Sequence, residues 1–173
     1  MIASPQMRDP IFEGSLVLLW HHDSDGAAGV VVNRPLEQHI EEVIQVSPEL
    51  DLTPYAETRI NWGGPVEGGS GTVVTHKEMV SEEDMELPHG LALTHSQETL
   101  TRILEQGGPL MLCLGYAGWG PGQLAREMAE GAWLWTDCDA NLILNTPPDQ
   151  RYAAALASLG LSAHSVLMTP GYT

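Results

Sequence analysis

The stretch Gly115-Tyr116-Ala117-Gly118-Trp119-Gly120-Pro121-Gly122-Gln123-Leu124 constrains the fold more than any other part of this chain. It follows the apolar run Pro109 to Leu114 and precedes a segment with helical spacing, so it reads as a strand, a glycine-rich turn and a helix start. A glycine can take a positive φ or let another backbone come close, and a proline at the first helical position has its φ set in advance at no cost in hydrogen bonding. At least one of Gly118, Gly120 and Gly122 is therefore expected to hold a positive φ. The N–H groups near Gly122 and Gln123 are expected to face another segment of the protein.

A chain of 173 residues is long enough to bury a sizeable core as one domain, taken here as 1–173. No apolar run approaches the roughly 18 residues that span a bilayer, which argues against a membrane partner. No charged segment followed by an apolar one opens the chain, and Cys113 and Cys138 make neither a C-x-x-C motif nor a disulfide framework. These features predict a cytoplasmic protein. With 23 acidic and 7 basic side chains the formal charge is −16, so the chain repels a phosphate backbone. The basic residues Arg8, Arg34, Arg59, Lys77, Arg102, Arg126 and Arg151 are scattered and form no basic helix, which argues against direct nucleic-acid binding.

Ser15 to Trp20 and Ala27 to Val32 read as strands joined by a hairpin around Asp25-Gly26. Leu36, Ile40, Val43 and Ile44 fall at helical spacing and predict a short amphipathic helix, ended by Ser47-Pro48. Arg59 to Trp62, Gly71 to Thr75 and Leu91 to Leu93 read as short strands, with a solvated, mobile acidic segment from Glu78 to Glu86. Ser96 caps a predicted helix that ends at Gly107-Gly108-Pro109. Pro121 to Gly131 is a second helix, Ala132 to Thr136 a strand, and Asp149 to Leu159 a terminal helix. Trp133 and Trp135, two apart on that strand, are expected on one face.

Candidate chemistry is sparse. His21 and His22 crowd with Asp23 and Asp25, but neighbouring strand residues point to opposite faces and the calcium-loop pattern is incomplete, so an ordinary hairpin outweighs a metal site. The glycine-rich turn could hold an anion at a helix N-terminus or could serve packing alone. Cys113 lies within an apolar strand, no serine sits in a nucleophile elbow, and the remaining histidines are isolated, so no catalytic residue is assigned. Arg34, a rare cation in the Asn33-Arg34-Pro35 exit from a strand, is expected to pair with a carboxylate such as Glu127, the other reading being a ligand-binding arginine.

Asp9-Pro10 with Phe12, His22-Asp23, Gly29 to Pro35, Gly63-Gly64-Pro65-Val66 with His76, Gly115 to Leu124 with Glu127, Ala132-Trp133 and Thr146-Pro147-Pro148 occur in this order. Through them the chain, from about Met1 to Leu161, closely resembles the AlgH/YqgE family of uncharacterised bacterial proteins. The resemblance implies an α+β fold in which a bifurcated, mostly antiparallel sheet curls into a pseudo-barrel flanked by helices. It implies no established enzyme activity or cofactor, and a regulatory effect on transcription exerted indirectly, through a protein or small-molecule partner. Asn33, Arg34, Gly63, Gly64, Pro65, Tyr116, Trp119, Gly122, Gln123 and Glu127 are the candidate binding or motif residues, expected to converge on one region. The alternative reading makes that region a pocket for a small ligand or anion, or the site of an enzyme.

Overall fold

One strand organises the molecule: Leu110–Trp119, whose neighbours change along its length. The computed structural model describes residues 1–162. In chain order the strands are β1 (Ile2–Ala3), β2 (Val17–Asp23), β3 (Gly26–Val31), β4 (Pro35–His39), β5 (Arg59–Trp62), β6 (Val66–His76), β7 (Met85–Glu86), β8 (Leu91–Thr94), β9 (Leu110–Trp119) and β10 (Trp133–Leu134). The α-helices are α1 (Gln97–Glu105), α2 (Gln123–Ala129), α3 (Ala140–Asn145) and α4 (Pro148–Ser158). The main sheet runs β2-β3-β9-β6-β8-β7, with β4 and β5 attached as a branch through β9, and β1 pairs separately with β10.

The branch lies in the middle of β9. Its first half pairs parallel with β5, Cys113 opposite Asn61 and Leu114 opposite Trp62, whereas its second half pairs antiparallel with β3, from Ala117 opposite Gly29 to Trp119 opposite Ala27. Strand β6 pairs antiparallel along the other edge of β9, with a register shift between Val66 and Gly71. The sheet thus splits at Gly115 and curls into a half-barrel that the helices flank. All the other pairings are antiparallel.

Glycine at Gly115 is a geometric requirement. Its φ is +74°, and a Cβ there would lie 2.4 Å from the carbonyl oxygen of Gly64. Side-chain alternation slips by one residue at this point: Met111 and Cys113 join one core cluster and so does Tyr116, while Leu112 joins a second and Ala117 and Trp119 a third. Each cluster has its own helical cover. Ala140, Ile143, Ala155 and Leu156 of α3 and α4 cover the first, Leu100, Ile103 and Leu104 of α1 cover the cluster around Ile40 and Ile60, and Leu124 of α2 joins that of Trp119 and Trp133.

Several expectations are corrected. The glycine-rich turn is shorter than its glycine content suggests, because β9 runs on through Trp119 and only Gly120-Pro121-Gly122 turns. Pro35–His39 is a strand followed by a 3-10 turn at Ile40–Glu42, where a helix was expected; β4 pairs with β5, and this pairing overrides the helical spacing. The glutamates of the acidic segment, Glu78, Glu82, Glu83 and Glu86, are exposed as expected, and Asp84 among them accepts hydrogen bonds from Ser81 N–H at 2.9 Å, from Thr99 Oγ1 at 2.9 Å and from Thr94 Oγ1. Trp133 is buried but Trp135 is 53% exposed, because β10 ends at Leu134 and alternation stops there. The helix α3, capped by Asp139 accepting from Leu142 N–H, was not expected.

Candidate functional site

Asn33, Arg34, Gly63, Gly64, Trp119 and Glu127 lie where β3, β5, β9 and α2 come together. Gly63 ties the branches by backbone alone: its N–H donates to Leu114 O at 2.7 Å and its carbonyl accepts from Val31 N–H at 2.8 Å. A Cβ on Gly63 would lie 2.3 Å from Gly115 O, and one on Gly64, at φ +152°, 2.1 Å from the carbonyl carbon of Tyr116. Pro65 follows as the chain leaves for β6. Backbones this close leave no space for a side chain at either position, which accounts for glycine at both Gly63 and Gly64.

The polar motif side chains are committed to this joint. Asn33 accepts from Leu16 N–H at 2.8 Å through Oδ1 and donates through Nδ2 to Gly14 O at 2.9 Å, clamping the segment before β2 to the end of β3. Arg34 donates through Nη2 to Glu13 O at 2.7 Å and through Nη1 to Ile11 O, and its guanidinium lies over the Trp62 ring, 5.1 Å from the centroid. Burial lowers the Arg34 pKa, and Asp9 and Glu13 oppose that shift. The expected ion pair with Glu127 is absent. A planar fork matched to two carbonyls and an aromatic face satisfies Arg34 without a carboxylate.

Glu127 instead accepts from two indoles through Oε2, Trp119 Nε1 at 2.7 Å and Trp133 Nε1 at 3.3 Å. These two rings meet edge to face at 5.8 Å, and Phe12 stacks on Trp119 at 6.0 Å while also contacting Trp133 and Trp62. The segment carrying Phe12 is therefore pinned from one side by Arg34 and from the other by the aromatic cluster. Sequence reasoning named Trp119, Trp133, Arg34 and Glu127 but missed that Phe12 and Trp62 join them. Tyr116 turns to the opposite side of the sheet, its ring 5.9 Å from that of Trp20.

At the turn, Gly122 has φ +70°, as expected of one of the three glycines, whereas a Cβ on Gly118 or Gly120 would meet nothing closer than 3.7 Å. The close approach argued for these glycines belongs to Gly63, Gly64 and Gly115. Gln123 satisfies the turn internally, its N–H donating to Gly120 O at 3.1 Å and its Oε1 accepting from Gly120 N–H at 3.0 Å. Those groups face the turn itself, contrary to the expectation of another segment. The thiol of Cys113 is fully buried, and burial pushes its pKa up to about 12. A thiol so placed is a poor nucleophile.

The five described cavities are lined by none of the ten candidate residues. An apolar cavity of about 130 Å³ lies between β2 and the segment Trp135 to Cys138. A larger one, about 490 Å³, opens between β5, β9 and the start of α4, and its lining includes Arg59, Asn61 and Arg151. Arg151 is buried, with Nε donating to Thr146 O at 2.8 Å and Nη1 to Val32 O at 2.7 Å. Sequence reasoning passed over Arg151, although a signal was present: it precedes Ala155 by one helical turn and so falls on the apolar face of α4.

A sequence model of the AlgH-like family matches residues 1–164. The chain is similar to a UPF0301 protein of Ralstonia nicotianae, 39% identical over 166 residues, covering 94% of this chain and 87% of the relative. Another UPF0301 protein, from Alcanivorax borkumensis, is 35% identical, with 99% and 93% covered. Among solved structures, the AlgH protein of Pseudomonas aeruginosa matches with a TM-score of 0.76 at 34% identity, covering 99% of this chain and 93% of that one. A protein of Corynebacterium diphtheriae shares the fold at a TM-score of 0.74 and 22% identity, covering 90% and 82%.

Proposed function

The chain belongs to the AlgH-like family, and from that premise we propose that it is a non-enzymatic binding protein whose regulatory effect is indirect, exerted through a protein or small-molecule partner. The observation that carries this reading is the commitment of the motif side chains. Asn33, Arg34 and Glu127 each commit side-chain hydrogen-bonding groups to holding the fold together, which supports a structural role for the motif over a catalytic one. The motif then serves as a joint that keeps the branches of the sheet in register, and binding falls to surfaces elsewhere. Direct contact with DNA is disfavoured by the formal charge of −16, since association with a polyanion draws on clustered basic contacts and the seven basic residues of this chain are scattered along the sequence.

Fluorescence anisotropy with labelled duplex DNA at physiological salt tests the indirect character of the effect. No saturable binding is expected at micromolar protein. Saturable, sequence-selective binding below micromolar concentration would replace this reading with direct regulation.

A further inference from the structure

The cavity between β5, β9 and the start of α4 contains two polar groups that the fold leaves incomplete. Asn61 is 3% exposed, and its Oδ1 accepts no hydrogen bond among the described residues. Arg151 is 7% exposed, and the acceptors of its guanidinium are the carbonyls of Thr146 and Val32 and, at 4.0 Å, the Met111 sulfur; no carboxylate pairs with it among the described residues. A buried cation ordinarily has a counter-charge, and a buried acceptor ordinarily has a donor. Both Asn61 and Arg151 line the same cavity, of about 490 Å³, a size that suits a small metabolite. Nη2 of Arg151 has no hydrogen-bond partner among the described residues.

The rest of the lining narrows the chemistry. Arg59 adds a second cation, while Glu57 and Asp149 add two carboxylates, so the charged side chains around the cavity sum to zero. In a chain of net charge −16 such a balance suits a ligand with one cationic and one anionic end better than a phosphate dianion. The start of α4 also lies on the cavity through Pro148 and Asp149, adding the positive end of an 11-residue helix dipole. Carboxylate acceptors at Glu57 and Asp149, together with Asn61 Oδ1, call for a donor on the same ligand. We infer that this cavity binds a small molecule pairing a carboxylate with an N–H donor, of the amino-acid class, its carboxylate on Arg151 and Arg59 and its donor toward Asn61, Glu57 and Asp149. The inference rests on the reading of the chain as a binding protein and deepens it.

Thermal melting of the full chain against each of the standard L-amino acids tests this, with acetate, methylamine and inorganic phosphate as partial probes. At least one amino acid is expected to raise Tm by about 2 °C or more at millimolar concentration, in a saturable manner, while the partial probes do much less. Asn61→Leu is expected to melt no lower than the wild type, since it removes an unsatisfied buried acceptor, and to lose the response. Arg59→Gln, at an exposed position, is expected to fold normally and to need several-fold more ligand, so it decides the matter should Asn61→Leu fail to fold. No response from any amino acid, an equal response to acetate or phosphate, or a response unchanged in Arg59→Gln would each overturn the inference. None of these results bears on DNA binding, so failure here is distinguishable from failure of the indirect-regulator reading.

Discussion

Arg34 and Glu127 do similar work from opposite sides of one aromatic cluster, each by offering two hydrogen bonds at once. Arg34→Ala removes two donors to the carbonyls of Ile11 and Glu13 and the cation over Trp62, and is expected to destabilise by about 1–3 kcal/mol in chemical denaturation. Arg34→Lys should recover little of that, because an ammonium cannot present a planar fork to two acceptors. Glu127→Ala strands two indole N–H groups and should cost about 1–3 kcal/mol, whereas Glu127→Gln keeps an acceptor oxygen and should stay within about 1 kcal/mol of the wild type. An unchanged stability for both alanine variants would mean that these residues are kept for something other than packing. That Arg34 and Glu127 mattered was legible in the sequence; that they do not pair was not, because a guanidinium satisfied by carbonyls leaves no signature in residue type.

Among elements, the expectations that held were those fixed by local chemistry. The β2–β3 hairpin follows from its Asp25-Gly26 turn, and α1 from Ser96, whose Oγ accepts from Thr99 N–H at 3.2 Å. Those that failed depended on a distant partner, as when β5 draws Pro35–His39 into a strand. The acidic segment before β8 exposes its glutamates as expected, while Asp84 within it is held by the hydroxyls of Thr94 and Thr99. Burial opposes ionisation of Asp84, but hydrogen bonds from Thr94, Ser81 and Thr99 together outweigh it and hold its pKa below the ordinary carboxylate value. A folded pKa below the unfolded one, which is about 3.9, stabilises the protein above that pH, and the contribution is lost as pH falls through the folded value. Asp84→Asn should therefore destabilise by about 1 kcal/mol at pH 7. The difference from wild type should shrink as the pH is lowered below about 4. A difference that stays constant down to pH 3 would show that the ionised carboxylate is not what orders this segment.

Across the whole molecule, the glycine-rich motifs are where two branches of one sheet are joined. Gly63, Gly64 and Gly115 bring backbones to distances that no Cβ could occupy, and the slip in side-chain alternation at Gly115 lets one strand serve three core clusters. The sequence announced that glycine was demanded here but not which glycines, since the Gly118 and Gly120 positions look the same in one dimension and have room in three. The polar cavity beside α4 stayed hidden for a related reason: Arg59, Asn61 and Arg151 lie far apart in sequence, and only the fold brings them together. The direct test of the joint is to compare Gly64→Ala with Gly118→Ala by equilibrium denaturation. Gly64→Ala should lose about 3 kcal/mol or more, or fail to fold, because its Cβ would overlap the Tyr116 backbone at positive φ. Gly118→Ala should remain within about 1 kcal/mol of the wild type, its Cβ meeting nothing nearer than 3.7 Å. Equal effects, or the larger loss at Gly118, would contradict the assignment of the motif to the branching of the sheet.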